Sequence, residues 1–372
     1  MSSPHSNGKK FNSPIEVTKT FLPPKHAYIK LLDRIWDSGW ITNRGEIVQE
    51  LEHQIGSYLS IDRVLATANG TIALQLALGL IEGAKEVITT PFSYVATTSS
   101  IVWQSCKPVF VDINPNYLTI DESKIEQAIT EKTAAILATH VFGNPCNIEA
   151  IELIAKRYNL LVIYDAAHCF GSKYKGRSLL SYGDVSICSF HATKVFHTGE
   201  GGMVTTTNER LFDRLVSFHN FGHLGRLAFQ GIGINGKMSE LQAAMGLCVL
   251  PYMDQVFQKR KEVVSRYIKG FSTNDSVRMI QLRQDTEPNY SYFPIICKSQ
   301  NHRQEIEIRL EGLNVFARRY FYPSLNTLNY LEYVSMPISE AISERILCLP
   351  LSDDLDSKVQ DCIIDQINLL SV

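Results

Sequence analysis

Residues 189–204 read SFHATKVFHTGEGGMV. The residues just before and including its start, Asp184 to Phe190, form an apolar run that predicts a buried strand, and a second run, GGMVTTT (201–207), follows at once. Lys194 therefore stands between two core strands, ahead of a turn holding Gly199, Gly201 and Gly202. A lysine is ordinarily a solvated surface group. Beside apolar walls its pKa falls, and a useful fraction becomes neutral and nucleophilic. Glycines let the chain turn tightly without crowding such a site.

Outward from this stretch, short apolar runs recur at RVLAT (63–67), EVITT (86–90), KPVFVDI (107–113), AAILATHV (134–141) and LLVIYDAA (160–167). Between them lie helix-like segments: TIALQLALGL, VATTSSIVWQ, ESKIEQAIT and NIEAIELIAKRYN. Strands that are apolar throughout and alternate with helices predict an α/β fold around a mostly parallel sheet covered on both faces. The last strands follow one another without a long helix, which predicts one antiparallel member. Further along, 238–271 reads as a long helix kinked at Pro251. NYSYFPIIC, LNVFARRYFYPSL and ERILCLPL then predict a smaller α+β domain. The expected division is a flexible N-terminal arm over 1–16, a large cofactor-binding domain over 17–250 and a small C-terminal domain over 251–372. HAYIKLLDRIWDSG predicts an amphipathic helix ending at Gly39, and a second helix follows from about residue 41.

The chain has 372 residues and a formal net charge of -2, with no basic block, so nucleic acid is not the expected partner. No apolar run approaches the roughly 18 residues of a membrane helix. The polar N-terminus lacks the apolar region of a secretory signal, and a cytoplasmic protein is expected. Its eight cysteines are scattered without a CxxC pair and read as free thiols. The histidines show no metal spacing, and no metal is expected.

In a parallel α/β sheet, ligands gather beyond the carboxyl ends of the strands. Four features fall there. Gly70 and Thr71 follow RVLAT and open a helix, which suits a phosphate, although a plain helix cap has the same appearance. Asp165 ends an apolar strand, where a carboxylate is costly unless it meets a cation; His168 follows three residues later. Tyr94 follows another strand and could lie against a flat ligand or simply fill core. Ser189 and Lys194 complete the set. One ligand accounts for all four: pyridoxal 5'-phosphate, with Lys194 as its Schiff-base partner, Asp165 at the ring nitrogen, Tyr94 on the ring, and Gly70, Thr71 and Ser189 at the phosphate.

NGTIALQLAL, VITTPFSYVAT, KPVFVDI, VIYDAAH, SFHATK-(x5)-EGG and GINGKMSELQAA occur in this order, within a resemblance that covers nearly the whole chain from about residue 17. Together they resemble the nucleotide-sugar aminotransferases of DegT/StrS type, within fold-type-I pyridoxal phosphate enzymes. The resemblance implies a homodimer with shared active sites, in which Asn235 reaches the phosphate in the other subunit. His168 matches a position near the ring oxygen. A branch that performs dehydration carries histidine in place of the lysine, and Lys194 argues against it. TFLPP (20–24), SGWITNRG (38–45, containing Asn43) and ARRYFYPSL (317–325) look like the enzymes that aminate dTDP-4-keto-6-deoxyglucose with glutamate. By the same likeness Asn43, Tyr320 and Tyr322 would line the sugar pocket, and an O-antigen or other lipopolysaccharide precursor would be the destination. Amination at C3 and UDP-linked sugars remain open. So does a non-catalytic, pyridoxal phosphate-binding regulator, although such a protein would commonly lose Lys194 or carry a DNA-binding domain. A nicotinamide oxidoreductase would need GxGxxG at the first strand–helix turn, which ANGTIAL lacks.

Overall fold

The computed structural model describes residues 10–83 and 85–370. Seven strands form the central sheet: β1 (Val64–Thr67), β2 (Glu86–Thr89), β3 (Lys107–Phe110), β4 (Thr133–Thr139), β5 (Leu161–Asp165), β6 (Val185–Ser189) and β7 (Gly202–Thr205). They lie in the order β1-β7-β6-β5-β4-β2-β3. All neighbours are parallel except β7, which runs antiparallel to both β6 and β1. The chain turns straight back from β6 into β7, so no crossover helix is needed there.

Side chains alternate between the two faces of each strand. Ile88, Ile136, Val162, Tyr164, Cys188 and Met203 pack in one core. Their neighbours Val87, Ala135, Leu137, Ile163, Ile187 and Val204 pack in the other. Helices cover both faces, which explains why these strands read as unbroken apolar runs. α1 (Lys25–Ser38) ends at Gly39 in the left-handed conformation, and α2 (Glu46–Leu59) follows. The other large helices here are α3 (Gly70–Leu78), α4 (Val95–Trp103), α5 (Ile148–Tyr158) and α6 (Glu209–His219). ESKIEQAIT departs from its expected helix. It forms two three-residue 3-10 turns on either side of Ile125, its one buried residue, and one anchor cannot hold a full amphipathic face.

The expected kinked helix is α7 (Glu240–Val249), a 3-10 turn containing Pro251, and α8 (Met253–Gly270). Met253 and Val256 of α8 still pack in the first core, whereas Val263, Val264 and Tyr267 belong to another. That second unit is built on an antiparallel sheet of β8 (Val277–Met279), β9 (Phe293–Cys297) and β10 (Ile346–Leu349). Helices α9 (Gln300–Gly312) and α11 (Ser357–Asn368) contribute Ile306, Leu310, Ile363 and Ile367 to its core; α10 (Pro337–Arg345) lies between them in the chain. Only Val315–Phe316 of LNVFARRYFYPSL is strand, and it pairs in parallel with Ile15–Glu16. The expected N-terminal arm is thereby corrected. Its residues 1–9 lie outside the described residues, but the Phe11 and Ile15 amides donate to the Leu313 and Asn314 carbonyls, so this stretch belongs to the fold.

One long-range contact fixes how the helices meet. Glu240, buried at the start of α7, accepts the amides of Gly45 (2.8 Å), Ile47 (2.8 Å) and Val48 (3.3 Å) at the N-terminus of α2. These are first-turn amides with no partner inside their own helix, and the dipole there favours an anion. Glu240→Ala is expected to strand these buried donors and destabilise the protein by about 3 kcal/mol; a melting curve of the cofactor-free protein checks it.

Candidate active site

The carboxyl ends of β1, β4, β5 and β6 open on a cavity of about 490 Å³. Gly70, Thr71, Tyr94, Asp165, His168, Ser189, Lys194 and Tyr320 all line it. Three other expected residues lie elsewhere. Asn43 is exposed on the turn before α2, and Asn235 is exposed outside the cavity of its own chain. Tyr322 also stands outside, its ring covered by the Arg319 guanidinium at 3.3 Å.

The glycine turn has a local reason. Gly199 adopts φ +81°, which reverses the chain after Lys194 and brings it back as β7. Gly202 pairs with Ser189 on one side and Thr67 on the other. A Cβ there would come within 2.7 Å of the Asn69 carbonyl carbon and 2.8 Å of the Gly70 nitrogen. The absence of a side chain lets the β1–α3 loop settle onto the sheet beside Ser189. Asn69 caps α3, its side chain taking the Ile72 amide at 2.9 Å. The Gly70 and Thr71 amides have no acceptor within the helix, and with the Thr71 and Ser189 hydroxyls they suit an anion at a helix N-terminus.

Asp165 is buried. Thr97 Oγ1 donates to its Oδ2 at 2.6 Å, and the Ala167 amide donates to its Oδ1 at 3.1 Å. Burial pushes its pKa up; the Thr97 hydrogen bond, the Ala167 amide and the Lys194 charge pull the other way. Lys194 has its pKa lowered, chiefly by burial, against the attraction of Tyr320, Asp165, Cys188 and Tyr94. Its Nζ lies 5.9 Å from the centre of the Tyr292 ring. His168 accepts the Phe142 amide at Nδ1 (3.2 Å), which places the proton of the neutral ring on Nε2. Burial and the Lys194 charge hold its pKa well below the ordinary value, so it is a neutral donor. The ring stacks on Phe321 (5.7 Å) and tilts against Tyr292 (4.9 Å).

This donor set fits pyridoxal phosphate. A buried carboxylate and a depressed lysine share a cavity with an anion cradle, and each costs free energy that a ligand with a cationic ring nitrogen, a carbonyl and a phosphate would offset. Among the described residues no cluster of His, Cys, Asp or Glu could hold a metal ion, and no helix is long and apolar enough to cross a membrane. Seven of the eight cysteines are buried, and all are free.

Several lining residues escaped sequence reading. Ser93, just before Tyr94, and Thr139, at the end of β4, are hydroxyls beyond strand ends, the position that had marked Asp165; Thr97, in the first turn of α4, does not line the cavity but donates to Asp165. Tyr292, Arg318 and Phe321 come from the C-terminal portion, and linear order carries no sign that it folds back over the sheet.

Residues 25–368 match the profile of the DegT/DnrJ/EryC1/StrS aminotransferase family. The chain belongs to this family. The aminotransferase is 40% identical over 360 residues, covering 95% of this chain and 98% of the relative, to a dTDP-4-amino-4,6-dideoxy-D-glucose transaminase of Shigella dysenteriae. It is 37% identical to an Escherichia coli protein of the same name, over 93% of this chain and 95% of that one. Among solved structures, DesI in the presence of its TDP-sugar product superposes with a TM-score of 0.93 at 28% identity, covering 98% of this chain and 94% of that one. The fold is that of the fold-type-I aminotransferases, and the cofactor is pyridoxal phosphate.

Gly202→Ala is expected to push the Asn69–Gly70 backbone off the sheet and weaken pyridoxal phosphate binding by at least about tenfold, the scale of one charge-assisted hydrogen bond. Titration of the cofactor-free variant, followed by absorbance, checks it.

Proposed function

We propose that this aminotransferase moves an amino group from glutamate to C4 of dTDP-4-keto-6-deoxyglucose, giving dTDP-4-amino-4,6-dideoxyglucose and 2-oxoglutarate. The likeness to the Shigella transaminase, running through nearly the whole of both chains, carries the substrate reading. The cavity supports the chemistry, since it joins a depressed lysine, a buried carboxylate and an anion cradle.

Bound pyridoxal phosphate supplies a carbonyl that takes up an amine and an electron-poor ring that stabilises charge at the reacting carbon. The chain supplies the rest. Lys194 would hold the resting cofactor through its amine and, once released, would take a proton from the donor's α-carbon and carry it as general base and acid. Its lowered pKa leaves more of the amine neutral near pH 7, as a base requires. Asp165 would face the ring nitrogen and keep it protonated. Gly70, Thr71 and Ser189 would hold the phosphate, Tyr94 would lie against the ring, and His168 would offer its Nε2 proton to the ring oxygen. Tyr320, which lines the cavity, would meet the sugar.

The working unit in this reading is a cytoplasmic homodimer, with Asn235 serving the phosphate in the other subunit. Its exposure, and that of Phe221, Leu224, Leu227, Phe229 and Ile232 on the same stretch, supports an apolar surface that a second copy covers. Asn43 and Tyr322 are assigned to the sugar side of the completed site. A nucleotide-linked deoxyamino sugar of this kind suits assembly of O-antigen in lipopolysaccharide.

An absorbance spectrum tests the reading. The loaded protein is expected to be yellow, to bleach with glutamate, and to regain its colour with dTDP-4-keto-6-deoxyglucose. A band unchanged by glutamate overturns the donor, and colour restored only by a UDP-linked or 3-keto sugar overturns the acceptor. Lys194→Ala is expected to abolish turnover. Asp165→Asn is expected to lower kcat by on the order of 10²- to 10³-fold, as for other preorganised charge-stabilising groups. Steady-state rates check both, and near-normal turnover removes the assigned role.

A further inference from the structure

Asp165 ends a chain of hydroxyls. Thr97 Oγ1 lies 2.6 Å from its Oδ2, Ser93 Oγ lies 2.7 Å from Thr97 Oγ1, and Thr139 Oγ1 lies 3.1 Å from Ser93 Oγ. All four residues are buried. Thr97 sits in the first turn of α4 and Ser93 just before that helix; Thr139 ends β4, directly opposite Asp165 in the sheet. An ionised carboxylate can only accept, so Thr97 must donate to it. A hydroxyl has a single proton, so Thr97 accepts from Ser93, and Ser93 from Thr139. The carboxylate thereby sets the direction of every link, and donors in series polarise one another. The Ala167 amide meanwhile occupies Oδ1, so both oxygens are engaged and the carboxylate is held against rotation.

We propose that Thr97 is a positioning residue for transamination, acting through Asp165: its hydroxyl, aligned by Ser93 and Thr139, keeps the carboxylate ionised and oriented toward the cofactor ring. This rests on the reading that Asp165 meets the ring nitrogen. Burial alone favours the neutral acid, and among the influences opposing it the Thr97 hydrogen bond is the largest, ahead of the Ala167 amide and the Lys194 charge. The other titratable groups facing Asp165 carry no charge. Burial holds His168 neutral and keeps Cys146, Cys169 and Cys188 as thiols.

Thr97→Val keeps the shape and removes the donor; Thr97→Ser keeps the donor. Without the hydroxyl the pKa of Asp165 rises further, so function is lost first on the acid side. Full-length protein is titrated with pyridoxal phosphate from mildly acidic to mildly alkaline pH, and kcat is measured across the same range. Thr97→Val is expected to bind the cofactor about tenfold more weakly at acidic pH, with the gap narrowing as pH rises, and to move the acid limb of kcat upward. Thr97→Ser is expected to return the limb toward its original position. A valine variant with unmoved affinity and acid limb overturns the proposal, as does a serine variant displaced as far as valine. Should the melting curve show that Thr97→Val does not fold, Ser93→Ala, which removes the next link, must move the limb in the same direction; an unmoved limb there also overturns it. Asp165→Asn runs in parallel. If it loses affinity while Thr97→Val does not, only the role of Thr97 fails; if it binds as tightly as the parent, the role of Asp165 itself fails.

Discussion

The structure is organised around the cost of keeping a carboxylate and an amine at the buried ends of core strands. Neither Asp165 nor Lys194 is comfortable there: burial raises the pKa of the acid and lowers that of the base. Asp165 is met by the Thr97 hydroxyl and the Ala167 amide, and Lys194 by the Tyr292 ring and the attraction of Tyr320 and Asp165. A folded chain that retains such unfavourable groups gives up stability to a site, a trade expected where chemistry is done.

Sheet topology supplies the means. A parallel arrangement collects strand ends, and with them helix N-termini, along one edge. The antiparallel β7 adds what the parallel strands cannot. It starts where β6 and β1 finish, so one glycine lies between Ser189 and Thr67. The helix N-terminus at Gly70 and the lysine turn are thus neighbours in space although 124 residues separate Gly70 from Lys194.

Much of this was legible in the chain. The seven strands showed as apolar runs because helices cover both faces of the sheet, and the lysine, aspartate and glycines stood out because polar residues and glycines are conspicuous against that background. What was not legible depends on distance. Glu240 is an ordinary acid in MSELQAA until its carboxylate is seen on the N-terminus of α2. Ser93, Thr97 and Thr139 look like strand and helix punctuation until they are found in one line. ESKIEQAIT carries a helical pattern that tertiary packing did not reward. Asn43, Asn235 and Tyr322 came from resemblance, and their places outside the cavity of a single chain could not be read from spacing.

Gln242, in the first turn of α7, gives its side-chain amide to the carbonyls of Ala68 (3.3 Å) and Glu200 (2.8 Å), and the Ala68 amide donates to the Gly236 carbonyl. One side chain thus joins the loop before α3 to the turn after Lys194, across 174 residues in the first case and 42 in the second. Contacts of such span form only after much of the chain has been ordered. The binding site is therefore complete only when segments far apart in the chain have met. Cofactor capture then selects finished molecules over partly folded ones, and its binding free energy adds to the stability of those alone.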